Sequence, residues 1–159
     1  MEILKKDIEL SEALSCFERE NQGSASFGYA VELLRRKSNE SGGRWTLVLL
    51  SREEILNIML PRHLHRRVLI PRPMLVSTVA ERVRKSTREV GICWENIYSH
   101  KNRDFSQVHI FLQYHKGGYM NLDGLHRLLA WAVFEKTEEI PAYVLGWPEM
   151  NSDTATSSV

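Results

Sequence analysis

The sequence predicts an α+β fold in which helices flank a small mixed sheet. Strand-like and helix-like segments both occur, but they do not alternate strictly, as they would in a doubly wound parallel sheet. The length of 159 residues suits one domain with a substantial core. An apolar fraction of 43% and a charged fraction of 26% are ordinary for a globular protein. We expect residues 1–150 to form one domain, followed by a disordered tail, 151–159, with little apolar content for packing.

Residues 1–40 are predicted to form a helical N-terminal extension to a core that spans residues 44–146. Two segments of this extension, 10–19 and 27–36, are predicted as short helices. A polar, glycine-rich connection, 38–43, marks the boundary with the core.

The first half of the core is predicted as one strand and two helices. The apolar run W-T-L-V-L-L, residues 45–50, predicts a buried strand. The motif Ser51-x-x-Glu54 that follows is a capping box, and it predicts a helix over 53–60. Residues 74–89 predict the next helix, which Gly91 ends. Residues 96–106 are polar and predict a loop.

The second half of the core is predicted as a hairpin, a helix and a last strand. Residues 107–114 place Val108, Ile110 and Leu112 on one face of a strand. A turn at 116–118 returns the chain to a short strand over 119–122. A helix over 124–135 follows, and Ile140-Pro141 opens a final strand over 140–145.

The turn into that last helix carries the candidate site. Asp123 is a favoured N-cap residue, and Gly124 allows close approach of the backbone. His126 and Arg127 then lie in the first helical turn, where free N–H groups and the positive end of the helix dipole bind anions, phosphates above all. Asp123 has a second interpretation, since its carboxylate could take the proton of an attacking hydroxyl. Arg127 is expected to pair with phosphate through both arms of its guanidinium.

Residues 119–144 resemble the ParB/sulfiredoxin superfamily. The resemblance depends on the strand-to-helix motif Asp123-Gly124-x-His126-Arg127-x-x-Ala130 and on Ile140-Pro141-x-x-Val144, and it extends loosely back to Trp45. It implies that Gly124, Leu125, His126 and Arg127 cradle a nucleotide phosphate, with Asn121 beside them. It also implies ATP or ADP with Mg²⁺ as the bound nucleotide.

Departures from the branches of that superfamily narrow the expected chemistry. Sulfiredoxins have a catalytic cysteine where this chain has Leu125, so their chemistry is not expected. The chain ends soon after the motif helix, without a helix-turn-helix domain, so a complete ParB protein is not expected either. Free-serine kinases have Asp-Gly-His-His-Arg and are the most similar branch. Their acidic residue after the first strand corresponds to Glu53, a candidate general base, because Glu54 already serves the capping box.

The sequence therefore predicts a small enzyme that binds a nucleotide or another phosphorylated ligand, with Asp123, His126 and Glu53 as candidate catalytic residues. Phosphoryl transfer to a small hydroxyl or amino substrate is the expected reaction. One alternative is a binding protein without catalysis, or a scaffold reused for another small-molecule tailoring reaction. A further alternative is a nucleic-acid-processing module that uses the basic segment 61–88.

The distribution of charge makes some of these alternatives less expected than others. Segment 61–88 holds eight Arg and Lys residues against one acid, Glu81. It predicts either a solvated face or a basic rim around an anionic ligand. DNA binding is not expected, because the net charge is only +1 and no aromatic residue interrupts the segment.

No metal site is predicted, although His63 and His65 form an H-x-H pair, because no cysteine or carboxylate lies near them in sequence. Cys16 and Cys93 have no motif spacing and are expected to be reduced thiols in a cytoplasmic protein. No apolar run approaches the length of a membrane span. The N-terminus lacks the apolar region of a signal peptide.

Overall fold

A mixed β-sheet forms the centre of the molecule. The computed structural model describes residues 1–23, 27–63, 70–85 and 94–147. Within these residues, seven strands form one sheet and six α-helices accompany it. The predicted α+β class is therefore confirmed at the level of its architecture.

The strands do not follow one another across the sheet in chain order. Their order is β1 (Glu2–Glu9), β2 (Arg44–Leu50), β7 (Ile140–Leu145), β5 (Ile110–His115), β6 (Gly118–Asp123), β3 (Met59–Leu60) and β4 (Met74–Leu75). The β5–β7 and β3–β6 pairs are parallel, and the other neighbours are antiparallel.

The helices flank this sheet. They are α1 (Leu10–Glu20), α2 (Phe27–Glu40), α3 (Arg52–Leu56), α4 (Val76–Lys85), α5 (Trp94–Ser99) and α6 (Leu125–Val133), and a short 3-10 turn covers Phe105–Gln107. Among these described helices, none combines the length and the apolar composition that crossing a bilayer needs.

Two hydrophobic clusters result from the alternation of side chains along the strands. On β5, Phe111 packs with Phe17 of α1 and Trp45 of β2, in a cluster that α1 and α2 cover. Its neighbours Ile110 and Leu112 belong to the other cluster, together with residues of α4, α5 and α6. Successive side chains of a strand point to opposite faces, so one strand contributes to both clusters.

The N-terminal segment contains the two predicted helices, but it also contributes a strand that the sequence analysis omitted. Glu2–Glu9 forms β1 and pairs antiparallel with β2 at one edge of the sheet. Only Ile8 of this strand is buried. Edge strands commonly carry charged residues, which remove the apolar alternation by which a strand is recognised.

Two boundaries differ by three or four residues. The helix predicted over 27–36 continues to Glu40, into the predicted connection 38–43. The strand predicted over 107–114 begins at Ile110, so Val108 lies outside it.

Three further boundaries differ from the predictions. The helix predicted over 53–60 ends at Leu56, and Met59–Leu60 pairs instead as β3 between β6 and β4. Met74–Leu75 is a strand, so the helix predicted from residue 74 begins at Val76. The loop predicted over 96–106 overlaps α5, which buries Ile97 in the core. In each case pairing or packing with distant residues decides the conformation.

Some predictions concern residues outside the described ranges. These are the end of the helix beyond residue 85, its stop at Gly91, and the C-terminal tail over 151–159.

Candidate functional site

The turn between β6 and α6 has a conformation that glycine alone fits well. Gly124 is the N-cap residue of α6, with φ +105°, in the left-handed region. A Cβ atom at this position would lie 2.6 Å from Ile110 Cδ1. The prediction that Asp123 caps the helix was wrong, because the cap position falls one residue later. Asp123 is the last residue of β6.

The carboxylate of Asp123 instead forms an ion pair with Arg127, whose side chain is largely buried. Arg127 is 6% exposed, and its Nη2 lies 2.6 Å from Asp123 Oδ2. Its Nη1 donates to the His109 carbonyl oxygen at 3.2 Å and lies 3.9 Å from Glu20 Oε2. The guanidinium that was predicted to hold phosphate is therefore engaged inside the protein. Arg127 is four residues after Asp123, so its guanidinium lies over the turn and contacts the Asp123 carboxylate.

Burial raises the pKa of Asp123 above its ordinary value, and the nearby Glu20 carboxylate acts in the same direction. Arg127 opposes both by favouring the charged carboxylate. The group therefore retains more affinity for a proton than an exposed aspartate would have.

Glu20 and His109 extend the ion pair toward α1. His109 Nδ1 lies 2.7 Å from Glu20 Oε1, and the His109 backbone N–H donates to both oxygens of that carboxylate at 3.2 and 3.3 Å. Burial alone would lower the pKa of His109, but polar contacts with Cys16 and Glu20 outweigh it and raise the pKa to about 9. Glu20 is thus shared by two cationic groups, and it connects the end of α1 to the residue that precedes β5.

A cleft of about 710 Å³ opens beside the first turn of α6. Its walls come from α2, from residues 61–63, from α5 with the loop that follows, and from β6. Among the described residues, three basic side chains line it in addition to the paired Arg127, namely Arg62, Arg103 and Lys37, whose Nζ also lies 3.6 Å from Glu40 Oε2. Glu20 and Asp123 are its acidic residues, and both interact with Arg127. Positive charge therefore exceeds negative charge around the cleft.

The basic residues of the cleft also affect the pKa of His100. Burial lowers its pKa to about 4, and the positive charges of Arg103 and Arg127 add to the effect. Arg103 Nη1 lies 3.1 Å from His100 Nδ1. Because a guanidinium can only donate, Nδ1 must accept this hydrogen bond, and the imidazole is neutral. Burial disfavours charge of either sign, but the positive charges of Arg103 and Arg127 would attract a bound anion.

The predicted site residues of the turn do come together in this cleft. All the residues from Asn121 to Arg127 line it. Asn121 is buried, and its side-chain amide donates to the Asp123 carbonyl oxygen at 2.8 Å, which supports the turn. The ring of His126 contacts the ring of His63 edge-on, with centroids 5.8 Å apart.

Glu53 lies elsewhere. It is exposed on α3 and does not line the cleft. Its neighbour Glu54 forms the predicted capping box with Ser51 and also pairs with the N-terminal amine of Met1 at 3.4 Å. The structure therefore separates the proposed general base Glu53 from the turn at Asp123.

The basic segment 61–88 does not act as one surface among the described residues. Arg62 lines the cleft, whereas Lys85 pairs with Glu81, and Arg84 donates to the carbonyl oxygens of Ala132 and Val133. Arg66, Arg67 and Arg88 lie outside the described ranges, as does His65 of the H-x-H pair. The nucleic-acid alternative therefore stays a prediction.

Lys37, His100 and Arg103 are site residues that the sequence analysis missed. They come from α2 and from the loop after α5, both distant in sequence from the Asp123-Gly124 turn. No local motif marks them, and only the packing of these elements around β6 brings them to the cleft.

The fold and the cleft define a mixed α+β protein with a predominantly basic cavity at a strand-to-helix turn. The chain belongs to DUF6309, a family of unknown function, whose model matches residues 15–159. No curated protein and no solved structure matches the chain.

Proposed function

We propose that the protein binds a small phosphorylated ligand, such as a nucleotide, in the cleft at the start of α6. The observation that carries this proposal is the coincidence of a helix N-terminus with a predominantly basic cavity. The first N–H groups of a helix have no acceptor within the helix, and the dipole there favours negative charge. Arg62, Arg103 and Lys37 line the same cavity.

The arrangement of the turn supports a ParB/sulfiredoxin-like core over residues 44–146 as part of this proposal. In that superfamily the Asp-Gly-x-His-Arg motif follows a strand and opens a helix. In this chain the motif follows β6 and opens α6. The nucleotide is then ATP or ADP, and Mg²⁺ enters with its phosphates, since Mg²⁺ in such sites is bound largely through phosphate oxygens and water.

The ligand contacts differ from those that the sequence analysis assigned. Arg127 is engaged with Asp123, Glu20 and a backbone carbonyl, so its role is to position the turn. Arg103 and Arg62 take over direct contact with the phosphates, because they are exposed at the cleft. At the helix end, the backbone N–H of Leu125 would donate to the ligand, because the Gly124 N–H already donates to the Asp123 carboxylate.

Asp123 is the group that would support phosphoryl transfer. In the proposed reaction, a hydroxyl or amine of a small substrate attacks the terminal phosphorus of ATP and ADP leaves. The proton of the attacking group passes to the Asp123 carboxylate. The raised pKa of Asp123 suits a group that accepts a proton.

A thermal-shift panel tests the binding proposal. It should contain ATP, ADP, inorganic phosphate, phosphorylated metabolites and free amino acids, each with and without Mg²⁺. A phosphorylated ligand at 100 times its dissociation constant should add about 2.7 kcal/mol to the free energy of unfolding. Stabilisation by none of the phosphorylated compounds would overturn the proposal.

Calorimetry on a pair of variants then places the ligand. Arg103→Gln should weaken binding of the phosphorylated ligand by about 1.5–3 kcal/mol, the value of a hydrogen bond to a charged group. Arg36→Gln is the matched control, because Arg36 is an exposed residue of α2 that does not line the cleft. It should bind as the parent does. Equal affinities in both variants would remove the cleft as the binding site.

A further inference from the structure

A second group of chemically reactive side chains adjoins the cleft, and the proposed function uses only its Glu20, as a partner of Arg127. Cys16 and Glu20 are four residues apart on α1, so they project from the same face of that helix. His109 approaches them from the residue just before β5. The Cys16 sulfur, a Glu20 carboxylate oxygen and a His109 ring nitrogen lie within 4.8 Å of one another. We call these three residues the Cys16–Glu20–His109 cluster.

The donor atoms of this cluster match the ligands that zinc prefers. Thiolate sulfur, imidazole nitrogen and carboxylate oxygen bind Zn²⁺ at about 2.0–2.3 Å, so two ligands of one ion lie roughly 3.3–3.8 Å apart. To bind an ion, His109 Nδ1 and Glu20 Oε1, now 2.7 Å apart, would separate by about 1 Å, and the sulfur would move to a similar distance from both. Softer ligands such as a thiolate also select against Mg²⁺ and Ca²⁺.

The surroundings hold these side chains in place. Cys16 is 4% exposed, and Glu20 and His109 are partly buried. The His109 ring contacts Tyr143, with ring centroids 5.4 Å apart. Arg127 Nη1 lies 3.9 Å from Glu20 Oε2, whereas His109 contacts Oε1. One oxygen of Glu20 can therefore bind an ion while the other faces the positive charge of Arg127.

We propose that Cys16, Glu20 and His109 bind one zinc ion. Three protein ligands leave a fourth tetrahedral position, which water fills in zinc sites of this type. Without the ion, the His109–Glu20 hydrogen bond holds the cluster together. This inference does not depend on the proposed phosphate binding.

Cobalt substitution and zinc titration test the site directly on the full chain. Co²⁺ bound to a thiolate gives a sulfur-to-metal charge-transfer band in the near ultraviolet, and added Zn²⁺ should displace it at one equivalent per chain. Zn²⁺ should also raise the unfolding temperature of the parent. Absence of the band, or of one-to-one zinc binding, would refute the site.

Two cysteine variants distinguish this site from adventitious binding. Cys16→Ser should abolish the cobalt thiolate band and weaken zinc binding by at least roughly 100-fold, since even outer-shell changes cost 10–100-fold. Cys93→Ser is the matched control, and it should keep both properties. A band that survives in Cys16→Ser, or that disappears in Cys93→Ser, would assign the metal to other residues.

A histidine variant covers the possibility that Cys16→Ser folds poorly. His109→Gln leaves both cysteines in place, and it should lose zinc affinity by a similar factor. Circular dichroism of each metal-free variant must match that of the parent before binding is compared. A folded His109→Gln variant with parental zinc affinity would overturn the proposal.

Discussion

The pair of Asp123 and Arg127 determines how the turn responds to substitution. Arg127 lies between two carboxylates, at 2.6 Å from Asp123 and 3.9 Å from Glu20. Removing one partner of a buried ion pair leaves an uncompensated charge, which is more costly than losing an exposed pair. Arg127 therefore stabilises the native state, whereas the sequence analysis assigned its guanidinium to a phosphate.

We predict that Arg127→Ala lowers the free energy of unfolding by about 3–5 kcal/mol, because Asp123 loses its counter-charge while the Glu20 carboxylate, paired with His109, stays nearby. Asp123→Asn should cost less, about 1–3 kcal/mol, because Glu20 and the His109 carbonyl still contact Arg127. Denaturant unfolding of both variants measures the difference. Arg36→Ala, at an exposed position of α2, is the control and should stay within about 0.5 kcal/mol of the parent. A reversed order of the two losses would contradict this account.

The turn between β6 and α6 forms one wall of the cleft. Gly124 has a positive φ, and the space that a side chain would need is filled by Ile110 of β5. The packing of Gly124 against Ile110 therefore connects the β5–β6 strand pair to the start of α6.

We predict that Gly124→Ala destabilises the protein more than Gly117→Ala does. Both residues have positive φ, but a Cβ at Gly117 would have no atom within 4 Å. Gly117→Ala should therefore cost only backbone strain, about 1–3 kcal/mol, whereas Gly124→Ala adds a steric clash of similar size. Chemical denaturation of the two variants provides the comparison.

A double variant identifies the clash. Ile110→Val removes the Cδ1 atom that the new methyl group would meet at 2.6 Å. Alone it should cost about 0.5–1.5 kcal/mol, but in the Gly124→Ala background it should recover stability. Additive losses would show that the clash is not the cause.

The elements that could be predicted from the sequence are those with a strong local pattern. Residues 140–145 and 45–50 are continuous apolar runs, and they form β7 and the greater part of β2. The capping box at Ser51 correctly predicts where α3 begins. In contrast, β3 and β4 have two residues each and exist because they pair with neighbours. No periodicity can appear in so short a segment.

The whole molecule decides which residues of the site face the ligand. The sequence predicted the Asp123-Gly124 turn as the site, and the structure places that turn at a cleft. It could not predict that the Arg127 guanidinium bonds internally, because Glu20 contacts it from α1 and His109 from the residue before β5. Lys37 on α2 and Arg103 after α5 likewise line the cleft only because these elements pack near β6.

The burial of His100, together with the positive charges of Arg103 and Arg127, also makes stability depend on pH. In an unfolded chain a histidine titrates near pH 6.5, whereas the pKa of His100 in the folded protein is about 4. Between these values the unfolded chain binds a proton that the folded chain does not. The contribution of His100 therefore lowers stability as the pH decreases from about 6.5 toward 4.

We predict that His100 accounts for roughly 1–3 kcal/mol of the stability lost between pH 7 and 4.5. His100→Gln cannot take up this proton, so its free energy of unfolding should fall less steeply over that range. The exposed His115, at the end of β5, provides the control variant His115→Gln. Urea unfolding at a series of pH values measures the free energy of unfolding of all three proteins.

A saturating phosphorylated ligand should also make the stability of the parent fall less steeply with decreasing pH, because it offsets the positive charge of Arg103 and raises the His100 pKa. Identical slopes for the parent and for His100→Gln would show that folding does not lower the pKa of His100.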